Sequence, residues 1–456
     1  MGRTLNTRGV QVNQRMDISP GADWVERSKR AVWHPCTQMK HHETSPLIPI
    51  ARGSGPWLYD ANGKRYLDGI SSWWVNLFGH ANPTINAAIK SQLDTLEHAM
   101  LAGCTHEPVI ELSERLSALT GGVLGHAFYG SDGASAVEIA LKMSFHYWRN
   151  HGKDTKREFV CLQGSYHGET IGALGVTDVA IFRDAYDPLI QRAHTVAAPD
   201  SRDETSIRSS VAAMAELLAA RADSIAAVIL EPLVQCAGGM VMHPPAYLAA
   251  VRKLCDMHNI HLIADEIAVG CGRTGTFFAC EQAGIWPDLL CLSKGITGGY
   301  LPLSVVLSSD AIFEAFYDDD TARAFLHSHS YTGNPLACRA ALATLDLFER
   351  DDVLNANREK SARLAKALEP LAKHPAARNL RQCGTIFAFD AAITRPESRK
   401  TFSRRFFETA LRHEMLLRPI GTTVYLMPSY VLSNEDIDLL GWRTRAIFEH
   451  VMALDL

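Results

Sequence analysis

The sequence runs to 456 residues, 47% apolar and 21% charged, with 45 basic against 50 acidic residues and a formal net charge of −5. Such a chain has ample material for a large core and length for more than one domain. The balanced charge and the lack of any apolar run near 18 residues count against nucleic-acid binding and a membrane span.

Residues 1–22 are polar, with Gly2, Gly9, Pro20 and Gly21, and are expected to form a flexible extension. They lack the apolar core of a signal peptide. Ten cysteines without a Cys-x-x-Cys pair fit reduced thiols, so a cytoplasmic protein without a metal site is expected. Trp57 to Asp68 reads as a hairpin turning at Asn62-Gly63. The adjacent Trp73 and Trp74 fall outside a clear helix; either both pack in the core or one faces a cavity. Two helical patterns occupy Pro83 to Thr120. A strand ending at Tyr129 then meets Gly130-Ser131-Asp132-Gly133-Ala134-Ser135, a small-residue turn that opens a helix. Exposed amides at such a start suit a phosphate group, though Ser and Asp are also ordinary caps.

Short apolar runs now alternate with helical stretches. The runs stop at Tyr166, at Glu231, at Asp265 and, after Leu289-Leu290-Cys291-Leu292, at Lys294 with its glycine-rich sequel. This alternation predicts a mostly parallel sheet covered by helices, with its chemistry outside the carboxyl ends of the strands. Helices are expected from Leu336 to about Glu349 and from Val353 to about Leu368. A smaller α+β unit follows, with strands at Ile386–Phe389 and Thr423–Pro428 and a last helix from Asp436 to Met452. The expected division is 23–80 and 346–456 for a small domain around a large domain at 81–345.

A lysine at the exit of a buried strand can act as an amine nucleophile, because burial frees it from its proton. A buried aspartate needs a cationic or hydrogen-bonding partner to stay ionised. Pyridoxal phosphate needs a Schiff-base lysine, an acid for its ring nitrogen, a phosphate cradle and an aromatic neighbour. Lys294, Asp265, the Gly133-Ala134 turn and Tyr166 meet these needs in turn.

The set Ser131-Asp132-Gly133-Ala134, Tyr166-His167-Gly168, Glu231-Pro232, Asp265-Glu266-Ile267, Gly272-Arg273-Thr274-Gly275, the lysine segment and Tyr331-Thr332-Gly333-Asn334-Pro335 resembles the class III aminotransferases. These are fold type I pyridoxal-phosphate enzymes, and the likeness runs from about Trp33 to the end. It implies an α/β fold with a seven-stranded-type sheet and a homodimer with sites at the subunit interface. It also implies Lys294 as the Schiff-base lysine, Asp265 at the ring nitrogen, Tyr166 and Ile267 on the two ring faces, and Glu231 beside them. Gly133 and Ala134 would bind the phosphate, joined by Ser330 of the partner subunit.

Trp33-His34-Pro35, Asp68-Gly69-Ile70-Ser71-Ser72-Trp73-Trp74, Gly298-Gly299-Tyr300-Leu301-Pro302-Leu303 and Leu417-Arg418-Pro419, with Tyr425-Leu426-Met427-Pro428, are similar to one branch of that family. That branch aminates 8-amino-7-oxononanoate in biotin synthesis. The likeness implies Arg418 as the clamp for the acceptor's carboxylate, with Trp73, Trp74, Tyr425 and His329 around the substrates. Cys36, where a tyrosine is usual, and Ser328-His329-Ser330 depart from the relatives that use S-adenosylmethionine as amino donor. S-Adenosylmethionine is the expected donor; lysine as donor, or a general ω-amino acid:pyruvate activity, stays open.

Overall fold

Seven strands form the central sheet of the computed structural model, which describes residues 20–453. Across the sheet they run His126–Gly130, Ser304–Ser308, Leu289–Leu292, His261–Asp265, Ile225–Leu230, Glu158–Leu162 and His194–Val196. The five from Leu289–Leu292 to His194–Val196 pair in parallel. Ser304–Ser308 runs antiparallel to both neighbours and holds the edge strand His126–Gly130 in place. Every residue of Ile225–Leu230 is buried, as a strand covered on both faces requires. Alternate side chains divide between two apolar clusters. Val228, Leu230, Leu262 and Leu290 point into one, and Ala227, Ile229, Ile263 and Leu289 into the other.

The helix Gly133–Asn150 covers the second face with Val137, Ile139, Ala140 and Leu141. The helix Pro335–Arg350 lies in the first cluster as far as Phe348. It starts with Asn334 as cap and Pro335 in the first turn, a strong local start signal. The expected hairpin is present as Trp57–Asp60 against Arg65–Asp68, turning with Gly63 at φ +85°. The short C-terminal strand Met415–Leu416 joins it in parallel. A further sheet of Ala377–Cys383, Ile386–Ala391 and Thr423–Leu426 lies beside the helices Pro396–Arg412 and Asn434–Ala453. Leu67 and Trp74 share a third apolar cluster with Phe389, Phe402, Leu426 and Phe448. Thus the chain's N-terminal hairpin and its C-terminal part bury one core together.

Residues 1–19 of the expected extension lie outside the described residues, and Pro20–Ala31 is a helix. The glycine-rich segment after the strand Leu289–Leu292 winds into the 3₁₀ turn Lys294–Thr297, which Gly298 ends at φ +62°. One such turn needs few residues and no helical periodicity, so the glycine-rich sequence concealed it.

Candidate active site

The carboxyl ends of the central strands open into a cavity of ≈ 550 Å³, within the usual range for a small-molecule site. Parallel pairing sets Asp265 opposite Cys291, which brings Lys294, three residues farther on, to the same edge. Tyr166, Glu231, Asp265, Ile267 and Lys294 all line the cavity, with Gly133 and Ala134.

Lys294 sits at φ +46°, a strained setting for a side-chain-bearing residue and frequent at functional sites. Burial pushes its amine below the ordinary lysine value, while Asp265, Cys236 and Glu231 pull the other way. Its Nζ stands 5.3 Å from the centre of the Trp74 ring. Among the described residues it makes no ion pair. Asp265 is 4% exposed. Its Oδ2 accepts from His167 Nδ1 at 2.7 Å and its Oδ1 from the Ile267 amide at 3.1 Å. His167 Nε2 is buried without a hydrogen-bond partner. Burial pushes the Glu231 carboxyl up to about 7, against the pull of His167. Glu231 accepts the amides of Tyr166 at 3.2 Å and Cys236 at 2.9 Å, and so fixes the loop that carries the tyrosine.

One end of the cavity is the start of Gly133–Asn150. Asp132 Oδ1 takes the Ser135 amide at 2.9 Å, which leaves the Gly133 and Ala134 amides without that cap. A Cβ on Gly133 would stand 3.0 Å from Ile267 Cγ2, so a side chain there would close the space beneath Ile267. A desolvated amine, a buried carboxylate, a glycine-lined helix start and an aromatic wall form a donor set that fits pyridoxal phosphate.

The expected substrate residues divide in two. Trp74 lines the cavity, and Tyr425 packs edge-on behind it at 6.1 Å between ring centres. Trp73 is 43% exposed, and Arg418 lies over its ring with Cζ 5.3 Å from the centre. Arg418 Nη2 also donates to the Cys36 carbonyl at 3.3 Å. The Cys36 thiol in turn points to Glu169 Oε1 at 3.8 Å, and the Tyr166 hydroxyl donates to the same oxygen at 2.9 Å. Cys36 therefore bridges an acid and a base at the rim. His329 and Ser330 are not in the lining of this chain's cavity. They lie on the loop before Pro335, where the His327 and His329 rings approach within 5.1 Å.

The tryptophans sit in an unusual turn. Ser71, Ser72, Trp73 and Trp74 have φ of +51°, +46°, +71° and +74°, a single turn of left-handed helix. Side-chain-bearing residues resist this conformation by roughly 1–2 kcal/mol each. Polar contacts offset the strain. Ser72 Oγ donates to Asp68 at 2.7 Å, and Ser71 Oγ to the Met427 carbonyl at 2.8 Å.

Sequence reasoning passed over His167 and Glu169 as site residues. The buried Asp265 needed a donor, and a histidine next to Tyr166, beyond another strand of the same sheet, was the signal for it.

The comparisons agree with this geometry. The family described as "Aminotransferase class-III" matches residues 38–447. An adenosylmethionine-8-amino-7-oxononanoate aminotransferase of Helicobacter pylori is 46% identical over 412 residues, 89% of this chain and 93% of that protein. The crystal structure of the enzyme of that name from Methanocaldococcus jannaschii superposes with a TM-score of 0.89 at 34% identity, covering 95% of this chain and 100% of the other. An amine transaminase from an uncultivated Pseudomonas species, solved in its PLP-bound form, gives 0.87 at 31% identity over 92% and 98% of the two chains. With a buried lysine and aspartate at one strand edge and the family matched over most of its length, the chain belongs to the class-III aminotransferases, as a pyridoxal-phosphate-dependent transaminase of fold type I.

Proposed function

We propose that this chain transfers an amino group from S-adenosylmethionine to 8-amino-7-oxononanoate, giving the 7,8-diaminononanoate of biotin synthesis. The observation that carries the reading is one cavity holding both Lys294 and Asp265, with Arg418 stacked on Trp73 close by. The names of the Helicobacter and Methanocaldococcus relatives support the choice of substrates.

Pyridoxal phosphate supplies the carbonyl carbon that carries the amino group between the two substrates, and a ring that accepts electron density. The chain's own residues do the rest. Lys294 would hold the cofactor through its desolvated Nζ, and the same amine, when free, would move the substrate's proton. Asp265, held from behind by His167, keeps a proton on the ring nitrogen. Tyr166 and Ile267 confine the ring, and the Gly133 and Ala134 amides bind the phosphate at the helix start. Arg418 receives the acceptor's carboxylate, while Trp73, Trp74 and Tyr425 wall its apolar chain and exclude water. Donor and acceptor use the same cavity in turn, a ping-pong scheme. In the homodimer of this reading, Ser330 and His329 serve the partner's site, Ser330 at the phosphate. A cytoplasmic location is supported by ten unpaired cysteines, seven of them buried. No helix among the described residues is long and apolar enough to cross a membrane. Cys36 and the Ser328-His329-Ser330 loop favour a second reading, the same acceptor with lysine as donor.

Half-reaction spectra test both. S-Adenosylmethionine alone is expected to bleach the visible band of the holoenzyme, and 8-amino-7-oxononanoate to restore it. Lys294→Ala is expected to show neither change. Bleaching by lysine and not by S-adenosylmethionine overturns the donor assignment. Arg418→Ala is expected to raise KM for the acceptor about 100-fold while the donor's moves less than about threefold. Equal rises would remove Arg418 from the clamp role.

A further inference from the structure

The side chain of Arg273 is fully buried, and among the described residues it forms no ion pair. A guanidinium keeps its charge in proteins, so burying one without a carboxylate is costly unless its donors are satisfied. Its two terminal nitrogens bond only main-chain carbonyls, while its Nε is buried without a hydrogen-bond partner. Nη1 donates to Pro428 O at 2.6 Å and Met427 O at 3.5 Å. Nη2 donates to Trp74 O and Asn76 O, both at 3.3 Å. Its Cζ lies 5.1 Å from the centre of the Tyr430 ring. The Arg273 carbonyl accepts the Thr385 amide at 2.9 Å and hydroxyl at 3.1 Å, which anchors its backbone to the C-terminal hairpin.

These acceptors are not an arbitrary set. Trp74 O ends the left-handed turn and Asn76 O lies two residues beyond it, where no continuing helix supplies a donor. Met427 O also receives Ser71 Oγ from the start of that turn. The fork of one arginine therefore joins the turn to the strand end at 427–428. A hydrocarbon of the same volume would fill the space but bond none of these carbonyls. A lysine is a single point donor and lacks the fork's reach to both segments.

We propose that Arg273 is a positioning residue for substrate recognition: it clamps the left-handed turn Ser71–Trp74, and through it sets Trp74 against Lys294 and Trp73 beneath Arg418. This rests on the cavity being the site of transamination. Arg273 touches neither substrate nor cofactor in this role. It acts on the two tryptophans, one in the cavity wall and one under the carboxylate clamp.

The test uses the holoenzyme with 5-fluorotryptophan at its eight tryptophans, the Trp73 and Trp74 signals assigned by Trp→Phe variants. In Arg273→Met the fluorine resonances of Trp73 and Trp74 are expected to shift or broaden, the other six staying in place. KM for both substrates is expected to rise about tenfold or more with a smaller change in kcat, the pattern of lost uniform binding. Glycine enters the positive-φ region freely, so adding Ser72→Gly is expected to recover part of both changes. Arg273→Lys, which keeps the charge, is expected to show the same pattern and serves if the methionine variant does not fold. Unmoved Trp73 and Trp74 resonances with unchanged KM in a folded variant overturn the proposal, even if the melting temperature falls. Failure of the underlying functional reading shows separately, as a wild-type holoenzyme inert to both substrates.

Discussion

Glu266 shows how far one buried carboxyl governs the pH response. It follows Asp265 but faces away from the cavity, where it accepts the Ala279 amide at 2.7 Å and the Cys280 amide at 2.8 Å. Burial pushes its carboxyl up to about 7, and the two amides only partly oppose this. In the window from about 4.5 to about 7 the folded protein keeps a proton that the unfolded chain has released. Stability from this group is therefore full below about 4.5 and lost as pH rises through about 7, a difference of up to about 3 kcal/mol. Calorimetric melting of Glu266→Gln is expected to show a smaller drop in Tm between pH 5 and pH 8 than the parent. Parallel curves would mean that Glu266 ionises normally. Asp265, its neighbour, has a partner on each oxygen, and its histidine has no hydrogen-bond acceptor behind it.

Among the elements, the loop after Lys294 and the left-handed turn interlock. Gly299 has φ +87°, and a Cβ there would come within 2.7 Å of the Val75 carbonyl oxygen. Gly299→Ala is expected to destabilise the protein by about 2–3 kcal/mol, because both the backbone and the space forbid it. Gly152 has φ +69° with open space around it, so Gly152→Ala carries the backbone cost alone and is the control. Thermal melting of the pair separates the two effects; equal losses would show that the loops do not touch. This interlock marks the boundary of what was legible in the sequence. Strand ends at Tyr166, Glu231, Asp265 and Lys294 could be read because apolar runs stop at polar residues whatever the tertiary structure. The helix Val353–Leu368 has the predicted limits for a similar local reason, with Pro370 just beyond it. The turn at Ser71–Trp74 could not be read, since four side-chain-bearing residues with positive φ run against local preference and persist only under distant contacts. His167 lay in plain view beside Tyr166, but its role appears only once the sheet order brings the loop after Glu158–Leu162 across Ile225–Leu230 to Asp265.

For the whole molecule, the proposed homodimer is expected to show in light scattering as twice 50.2 kDa. A monomer of full activity would detach Ser330 and His329 from any role in a neighbouring site. The order of the central strands has a consequence for the chain as it is made on the ribosome. The helix Gly133–Asn150, whose first residues line the cavity, follows the edge strand His126–Gly130, and that strand is held in the sheet by Ser304–Ser308, about 170 residues later. Until that late strand has emerged and inserted, His126–Gly130 has no sheet neighbour to pair with, while the helix after it can already pack on the earlier strands. The sheet edge that leads into this end of the cavity is thus completed only after residue 308 of 456 has been made, and cofactor uptake becomes a report that the sheet has been completed.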